Sequence, residues 1–376
     1  MFSFSIESKD KYARRGTLTT PHGIVETPAF MPVGTCGSVK GVTPEQLAQT
    51  ETHMILANTY HLHLRPTADV VRDLGGLHAF MGWDGPILTD SGGYQVFSLA
   101  GINKISDRGV AFHSHIDGAS MFLDARTATL VQNKLGADVI MAFDQCPSLP
   151  CDKDILRTAV DRTIRWAKEC KDAHARDDQA LFGIVQGGLD RSERERCAVA
   201  LTEIGFPGYA IGGLSVGETH EEMTAILPAI TTTLPHDKPR YLMGVGMPRD
   251  ILAAVMAGVD MFDCVLPTRN GRNSYAFTAG GALKMRNGKH RLDDSPLEKG
   301  CDCSVCARFS RGYIRHLFLA GEMLGPTLTS IHNLRFFQRF MARIRELISE
   351  GKLATIPHEF PIAASADNTE HDEDHA

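Results

Sequence analysis

Eight short apolar runs alternate with amphipathic helical patterns along this chain, and that rhythm constrains the fold more than any other feature. The runs are MPVG (31–34), MILANTYHL (54–62), PILTD (86–90), DVIMAFD (138–144), LFGIVQGG (181–188), YAIGGLSVG (209–217), RYLMGVG (240–246) and MFDCVLP (261–267). Helical patterns at 44–51, 125–135, 153–174, 191–203, 219–231 and 249–257 lie between most of them. Buried parallel strands read as near-continuous apolar stretches, and each needs a crossover to bring the chain back. Eight such units predict an α/β fold, a (β/α)8 TIM barrel, for which 376 residues is ample. A doubly wound open sheet is the competing arrangement.

Two stretches break the rhythm. Residues 97–122 read as a β excursion inserted after the third run. Residues 273–345 hold Cys301, Cys303 and Cys306, then helical patterns around 311–323 and 333–349. A Cys-x-Cys-x-x-Cys run can place three thiolates round one tetrahedral ion with a histidine as fourth ligand, a closed and therefore structural site. Three reduced thiols, or a redox pair plus a bystander, are the alternatives. The spacing alone does not separate His290, His316 and His332 as the fourth ligand. The expected organisation is a catalytic barrel over 1–272 with part of 321–360 and a zinc-binding subdomain over 273–345 packed on it. A disordered acidic tail over 363–376 completes it.

Six scattered cysteines beside the cluster do not form a disulfide framework, and the N-terminus MFSFSIESKDKYARRG is charged. No run approaches the ~18 apolar residues of a membrane span. A reduced, cytoplasmic protein with no membrane partner is expected. The net charge of −6 is unevenly spread. The tail from Ser365 carries five acids and no Lys or Arg, whereas residues 264–316 hold ten Lys or Arg against four acids. Such a local basic zone can bind phosphates on a protein that is acidic overall. An ordinary solvated surface reads the same way.

In a barrel the active site lies at the C-terminal ends of the strands. The runs end there in Asp90-Ser91-Gly92-Gly93-Tyr94-Gln95, Asp144-Gln145-Cys146, Gln186-Gly187-Gly188, Gly212-Gly213 with Glu218, and Asp263. Three carboxylates and an amide would converge on one mouth. Two carboxylates can divide labour as nucleophile and acid/base, as in retaining glycosidic chemistry. A carboxylate and an amide can read the edge of a planar heterocycle, and Tyr94 can stack on one. These parts suit cleavage of an N-glycosidic bond to a purine-like base. Taken singly, Asp90 could cap a turn and Asp263 could pair with an arginine.

The same residues carry a resemblance. TDSGGYQVFSL (89–99), AFDQC (142–146), GIVQGG (183–188), AIGGLSVGE (210–218), YLMGVG (241–246), DMFDCVLPTRNGR (260–272) and CDCSVC (301–306) resemble the bacterial tRNA-guanine transglycosylases, or queuine tRNA-ribosyltransferases. The likeness runs from about residue 3 to about 358. It implies exchange of guanine at the tRNA wobble position for 7-aminomethyl-7-deazaguanine, in queuosine biosynthesis. Within that pattern Asp263 would be the nucleophile and Asp90 the general acid/base. Asp144, Gln186, Gly213 and Leu214 would read the base, Tyr94 and Met243 would sandwich it, and Glu218 would steady the Leu214 peptide. Arg269 and Arg272 would hold the anticodon loop. One structural zinc per subunit would sit on Cys301, Cys303, Cys306 and His332, in a homodimer.

Cys146 and Val216 match the bacterial pattern that takes the aminomethyl base. Phe309 replaces a frequent tryptophan, so the dimer contact would differ in detail. Both catalytic aspartates are present, which argues against the family's non-catalytic accessory subunit. A barrel hydrolase acting on small nucleosides is the other rival; it leaves the basic zone unexplained.

Overall fold

The computed structural model describes residues 2–99 and 103–365. The acidic tail beyond Ser365 lies outside the described residues. Eight parallel strands close into a barrel: Ala29–Gly34, Ile55–Ala57, Ile87–Thr89, Val139–Met141, Ala180–Val185, Gly208–Ile211, Arg240–Leu242 and Met261–Cys264. The eighth pairs with the first, Met261 opposite Ala29 and Asp263 opposite Met31, which shuts the ring. The open-sheet alternative is thereby excluded, and each of the eight apolar runs holds one strand.

After the first, the strands are shorter than their runs because polar residues at the ends of the runs turn to other work. The second run extends to Leu62 in sequence, yet its strand stops at Ala57. The Asn58 side chain accepts the His61 N–H (3.1 Å) and starts the helix Thr59–Leu64, satisfying a donor that a helix start leaves free. Two more short helices, Ala68–Asp73 and Gly76–Met81, precede the third strand. The excursion after that strand is a three-stranded antiparallel sheet, Asn103–Ser106, Gly109–His113 and Ser120–Leu123.

The barrel is filled, not hollow. Met31, Leu56, Leu88, Met141, Phe182, Ile184 and Tyr241 pack inside it, as the layered interior of this fold requires. Its floor is plugged by an N-terminal antiparallel sheet, Ser3–Asp10, Ala13–Thr20 and Gly23–Thr27, which sends Leu18 and Val25 into the same cluster. Phe2 meets Phe182 edge to face at 5.7 Å. In sequence the charges of this stretch mask the sheet. Its alternation is visible in the strand Ser3–Asp10, where exposed and half-buried positions alternate strictly.

The helical patterns near 311–323 and 333–349 become the helices Arg311–Ala320 and Leu324–Glu350. The second, 27 residues long, ties the cysteine-bearing region to the barrel wall. Phe337 stacks on Phe30 at 4.6 Å, and Gln338 and Arg345 donate to the carbonyls of Phe30 (3.1 Å) and Pro28 (2.9 Å).

Candidate active site

A cavity of about 1470 Å³ opens at the C-terminal mouth of the barrel. Asp90, Tyr94, Asp144, Gln186, Gly213, Leu214, Met243, Asp263 and Arg269 all line it. The residues expected from strand ends are thus brought together, with two exceptions. Glu218 acts from behind the wall: its carboxylate takes the N–H groups of Ser215 and, at 3.0 Å, Val216. Arg272 sits one turn beyond the lining Arg269 on the helix Leu266–Arg272, with a buried Nη1 that has no hydrogen-bond partner among the described residues.

Asp90 follows the third strand and is buried. Its oxygens accept from the Thr59 N–H (2.8 Å) and the Asn58 amide (2.5 Å). Burial pushes its carboxyl up to about 7; the Thr59 N–H opposes this, and the negative charges of Asp263 and Asp144 add to it. Asp144 is buried beside it, accepting from Ser91 Oγ (3.0 Å) and Gln186 Nε2 (2.7 Å). Burial raises this carboxyl too, against those two donors. The backbone comes close here because Gly93 has no side chain; a Cβ on it would lie 2.8 Å from the Asp144 carbonyl oxygen.

Asp263 lies on the eighth strand, partly open to the cavity. Its Oδ1 accepts from the Tyr241 hydroxyl (2.5 Å) and the Gly244 N–H (2.7 Å), which leaves Oδ2 without a protein partner among the described residues. The enclosing protein raises its carboxyl, while those two donors favour the ionised form. No Lys, Arg or His pairs with any of the three mouth carboxylates among the described residues. The neighbouring Cys146 thiol, which also lines the cavity, is pushed up to about 12 by burial and then by the Asp144 charge and is neutral.

Asn58 and Tyr241, which hold the two aspartates, escaped the sequence reading. Both lie inside quoted runs, but each faces its aspartate from a different strand. Arg194 was missed as well. It falls on the same helical stripe as the buried Cys197, Ala198 and Leu201 of Arg191–Ile204, and a charge on an apolar stripe is a readable signal.

The cysteine cluster is some distance along the chain. Cys301, Cys303 and Cys306 place their sulfurs 3.8, 3.6 and 3.3 Å from His332 Nδ1. Four donors on a tetrahedral zinc, with bonds of ~2.3 Å to sulfur and ~2.0–2.1 Å to nitrogen, would stand about 3.5 Å apart between N and S. The residues therefore fit the ion. His332 Nε2 lies 2.8 Å from the Phe277 carbonyl, which fixes the proton there and frees Nδ1 as ligand. His332 is thereby chosen over His290 and His316. Four protein ligands leave no open position, so a bound zinc would hold structure and take no part in bond making.

Comparison with known proteins agrees with this geometry. Residues 9–364 match the family described as queuine tRNA-ribosyltransferase. A queuine tRNA-ribosyltransferase of Pelotomaculum thermopropionicum is 53% identical over 360 residues, covering 95% of this chain and 97% of the relative. Those of Pseudomonas syringae pv. tomato and Nitrosomonas eutropha are each 53% identical, over 358 and 349 residues, covering 95% and 93% of this chain and 96% and 97% of theirs. With nearly its whole length matched, this chain belongs to the queuine tRNA-ribosyltransferase family.

Proposed function

We propose that the protein exchanges guanine at the tRNA wobble position for 7-aminomethyl-7-deazaguanine, through a covalent aspartyl–RNA intermediate. The observation that carries this reading is a pair of enclosed carboxylates, Asp263 and Asp90, facing one cavity with no ion pair to either among the described residues. Asp263 Oδ2 attacks C1′ of the ribose. The C1′–N9 bond breaks, its electron pair goes to N9, and Asp90 supplies a proton to the departing guanine. The new base gives its N9 proton to Asp90 and attacks C1′ from the other face, expelling the Asp263 carboxylate. Two inversions retain the β configuration, with a base in place of the water of a retaining glycosidase.

Asp144, Gln186 and the Gly213 backbone read the base edge, and Tyr94, half exposed, stacks on the ring opposite Met243. Glu218 steadies the Leu214–Ser215 peptide, whose carbonyl would accept from the cationic aminomethyl group. Arg269 and Arg272, with the basic zone behind them, hold the phosphates of the anticodon loop. The target nucleotide turns out of that loop to reach the pocket. One zinc on Cys301, Cys303, Cys306 and His332 would hold the 273–345 subdomain against the catalytic barrel. A homodimer contact beside it would use the face where Phe309 stacks on Tyr313 at 5.5 Å. All nine cysteines are free thiols, which suits the cytoplasm.

Mass spectrometry of unmodified tRNA after incubation with 7-aminomethyl-7-deazaguanine tests the exchange. The wobble nucleoside should shift by the mass difference between the two bases as free guanine appears. Hydrolysis of free nucleosides with tRNA left unchanged would favour the hydrolase reading instead. The zinc has its own test: the purified chain should carry one equivalent, and Cys303→Ala should lose it together with thermal stability and tRNA affinity. A zinc-free enzyme that is fully folded, binds tRNA and forms no adduct would contradict a structural role.

A further inference from the structure

We propose that Arg194 is a positioning residue for base recognition: it turns two backbone N–H groups, of Gly213 and Leu214, into the cavity toward the exocyclic oxygen of an oxopurine. This rests on the exchange reading above and names how the pocket recognises the base. Arg194 is wholly buried. Its guanidinium donates to four carbonyls and no carboxylate: Gly188 from Nε (2.8 Å), Val185 (2.9 Å) and Gly212 (2.6 Å) from Nη1, and Gly213 from Nη2 (3.0 Å). Removing a cation from water is expensive, and two turns could be held by neutral groups, so the fork geometry and the charge call for a reason.

Peptide planarity supplies one. In a trans peptide the N–H points opposite to the C=O of the same unit. With the Gly212 carbonyl drawn to Arg194, the Gly213 N–H faces away from it. With the Gly213 carbonyl drawn likewise, so does the Leu214 N–H. Gly213 and Leu214 line the cavity, and neither N–H finds an acceptor among the described residues. The Gly212 N–H, by contrast, is taken by Val185 O at 3.1 Å. Leu214 is only 3% exposed, and a buried N–H with no acceptor is rare. Gly213 has φ +65°, and a Cβ there would fall 2.3 Å from Gln186 Oε1, so the turn admits no side chain that could supply the acceptor itself. A cation on the carbonyl side also polarises each peptide and sharpens its N–H as a donor. The fitting ligand group is a carbonyl oxygen; a base lacking it would leave both donors unpaired.

The test compares guanine with 6-thioguanine, which keeps N1–H and the 2-amino group but offers a weak acceptor at C6. Arg194→Lys in the full-length enzyme should raise KM for guanine about tenfold, the scale of a misdirected buried hydrogen bond. Its kcat should stay within about threefold, and 6-thioguanine should inhibit nearly as in wild type, so the discrimination between the two bases shrinks. Equal losses for both bases, or a fall in kcat at constant KM, would overturn the proposal. Should the variant not fold, amide hydrogen exchange in the wild type decides. Guanine should protect the 212–216 segment markedly more than 6-thioguanine does at equal occupancy, and equal protection overturns the assignment. Failure of the wild type to incorporate guanine into tRNA would sink the exchange reading itself, which separates the two.

Discussion

The barrel has buried aspartates at both ends, and their company differs. At the floor, Asp260 is gripped by Arg14, with Nε at 3.0 Å and Nη2 on the other oxygen, and by the Arg240 N–H at 2.7 Å. Asp138 takes His22 Nδ1 (2.8 Å), His78 Nε2 (3.1 Å) and the Ile87 N–H (2.9 Å), beneath two stacked imidazoles 3.5 Å apart. At the mouth, Asp90, Asp144 and Asp263 are held only by neutral donors. The same residue type is thus clamped by cations or imidazoles at one end and left without a counter-ion at the other; burial raises the Asp260 carboxyl too, but there Arg14 opposes it, so the partner and not the burial marks the difference. Full satisfaction marks a structural acid, and a raised carboxyl without a counter-ion in a cleft marks a working one.

Replacing Asp263 by Asn gives the sharpest contrast. The amide keeps the shape but cannot form the proposed ester, so exchange should fall by about 10,000-fold or more, with no denaturation-resistant enzyme–RNA adduct. The variant should melt within a few degrees of wild type. Retained guanine exchange would remove Asp263 as nucleophile, and a collapsed fold would place it with the floor acids.

The floor should behave in the opposite way. Arg14→Leu strands the Asp260 charge, at 0% exposure, inside the protein. Breaking a buried pair from one side costs about 3–5 kcal/mol. Urea unfolding should show that loss, while exchange per folded molecule at 20 °C stays unchanged. A catalytic defect without a stability defect would erase the distinction between the two ends.

Much of this division is legible in the order of residues. Asp138 and Asp260 precede their strands, in DVIM and DMFDC, and so lie at the N-terminal end. Asp90, Asp144 and Asp263 close theirs, because a parallel barrel puts every strand end on one face. The CDCSVC run was equally plain. What the order of residues hides is long-range pairing. Arg14 reaches Asp260 across 246 positions, and Tyr241 reaches Asp263 from the adjoining strand. The fourth zinc ligand also depended on packing, since only His332 is carried to the cysteines by the long helix. The N-terminal sheet was missed because its strands bury half their side chains against a barrel floor that exists only once the barrel has closed.

The smallest expected effect tests the contrast through pH. In the folded chain Asp90 keeps its proton up to about 7, whereas an unfolded aspartate releases it near ~3.9. Between those values the folded state binds more protons, so this group's contribution to stability declines as pH rises through the window and is flat above it. Asp138 runs the other way. Burial alone would raise its carboxyl, but the bonds from His78, Ile87 and His22 together hold it below the usual range. Its contribution is present above the unfolded value and is lost as pH falls through the folded one. Asp90→Asn should therefore gain stability over wild type as pH climbs from 4 to 7, reaching about 1–2 kcal/mol at pH 8, the size of gain that relieving a strained active site commonly gives. Asp138→Asn should destabilise at pH 8, and its cost should shrink below pH 4. In the proposed exchange the proton on Asp90 goes to the departing guanine, so the rate of adduct formation in a single turnover should drop above about pH 7. Urea titrations with slopes of the same sign for both variants, or an adduct rate flat to pH 9, would mean that the mouth and floor acids do not differ in the way their surroundings require.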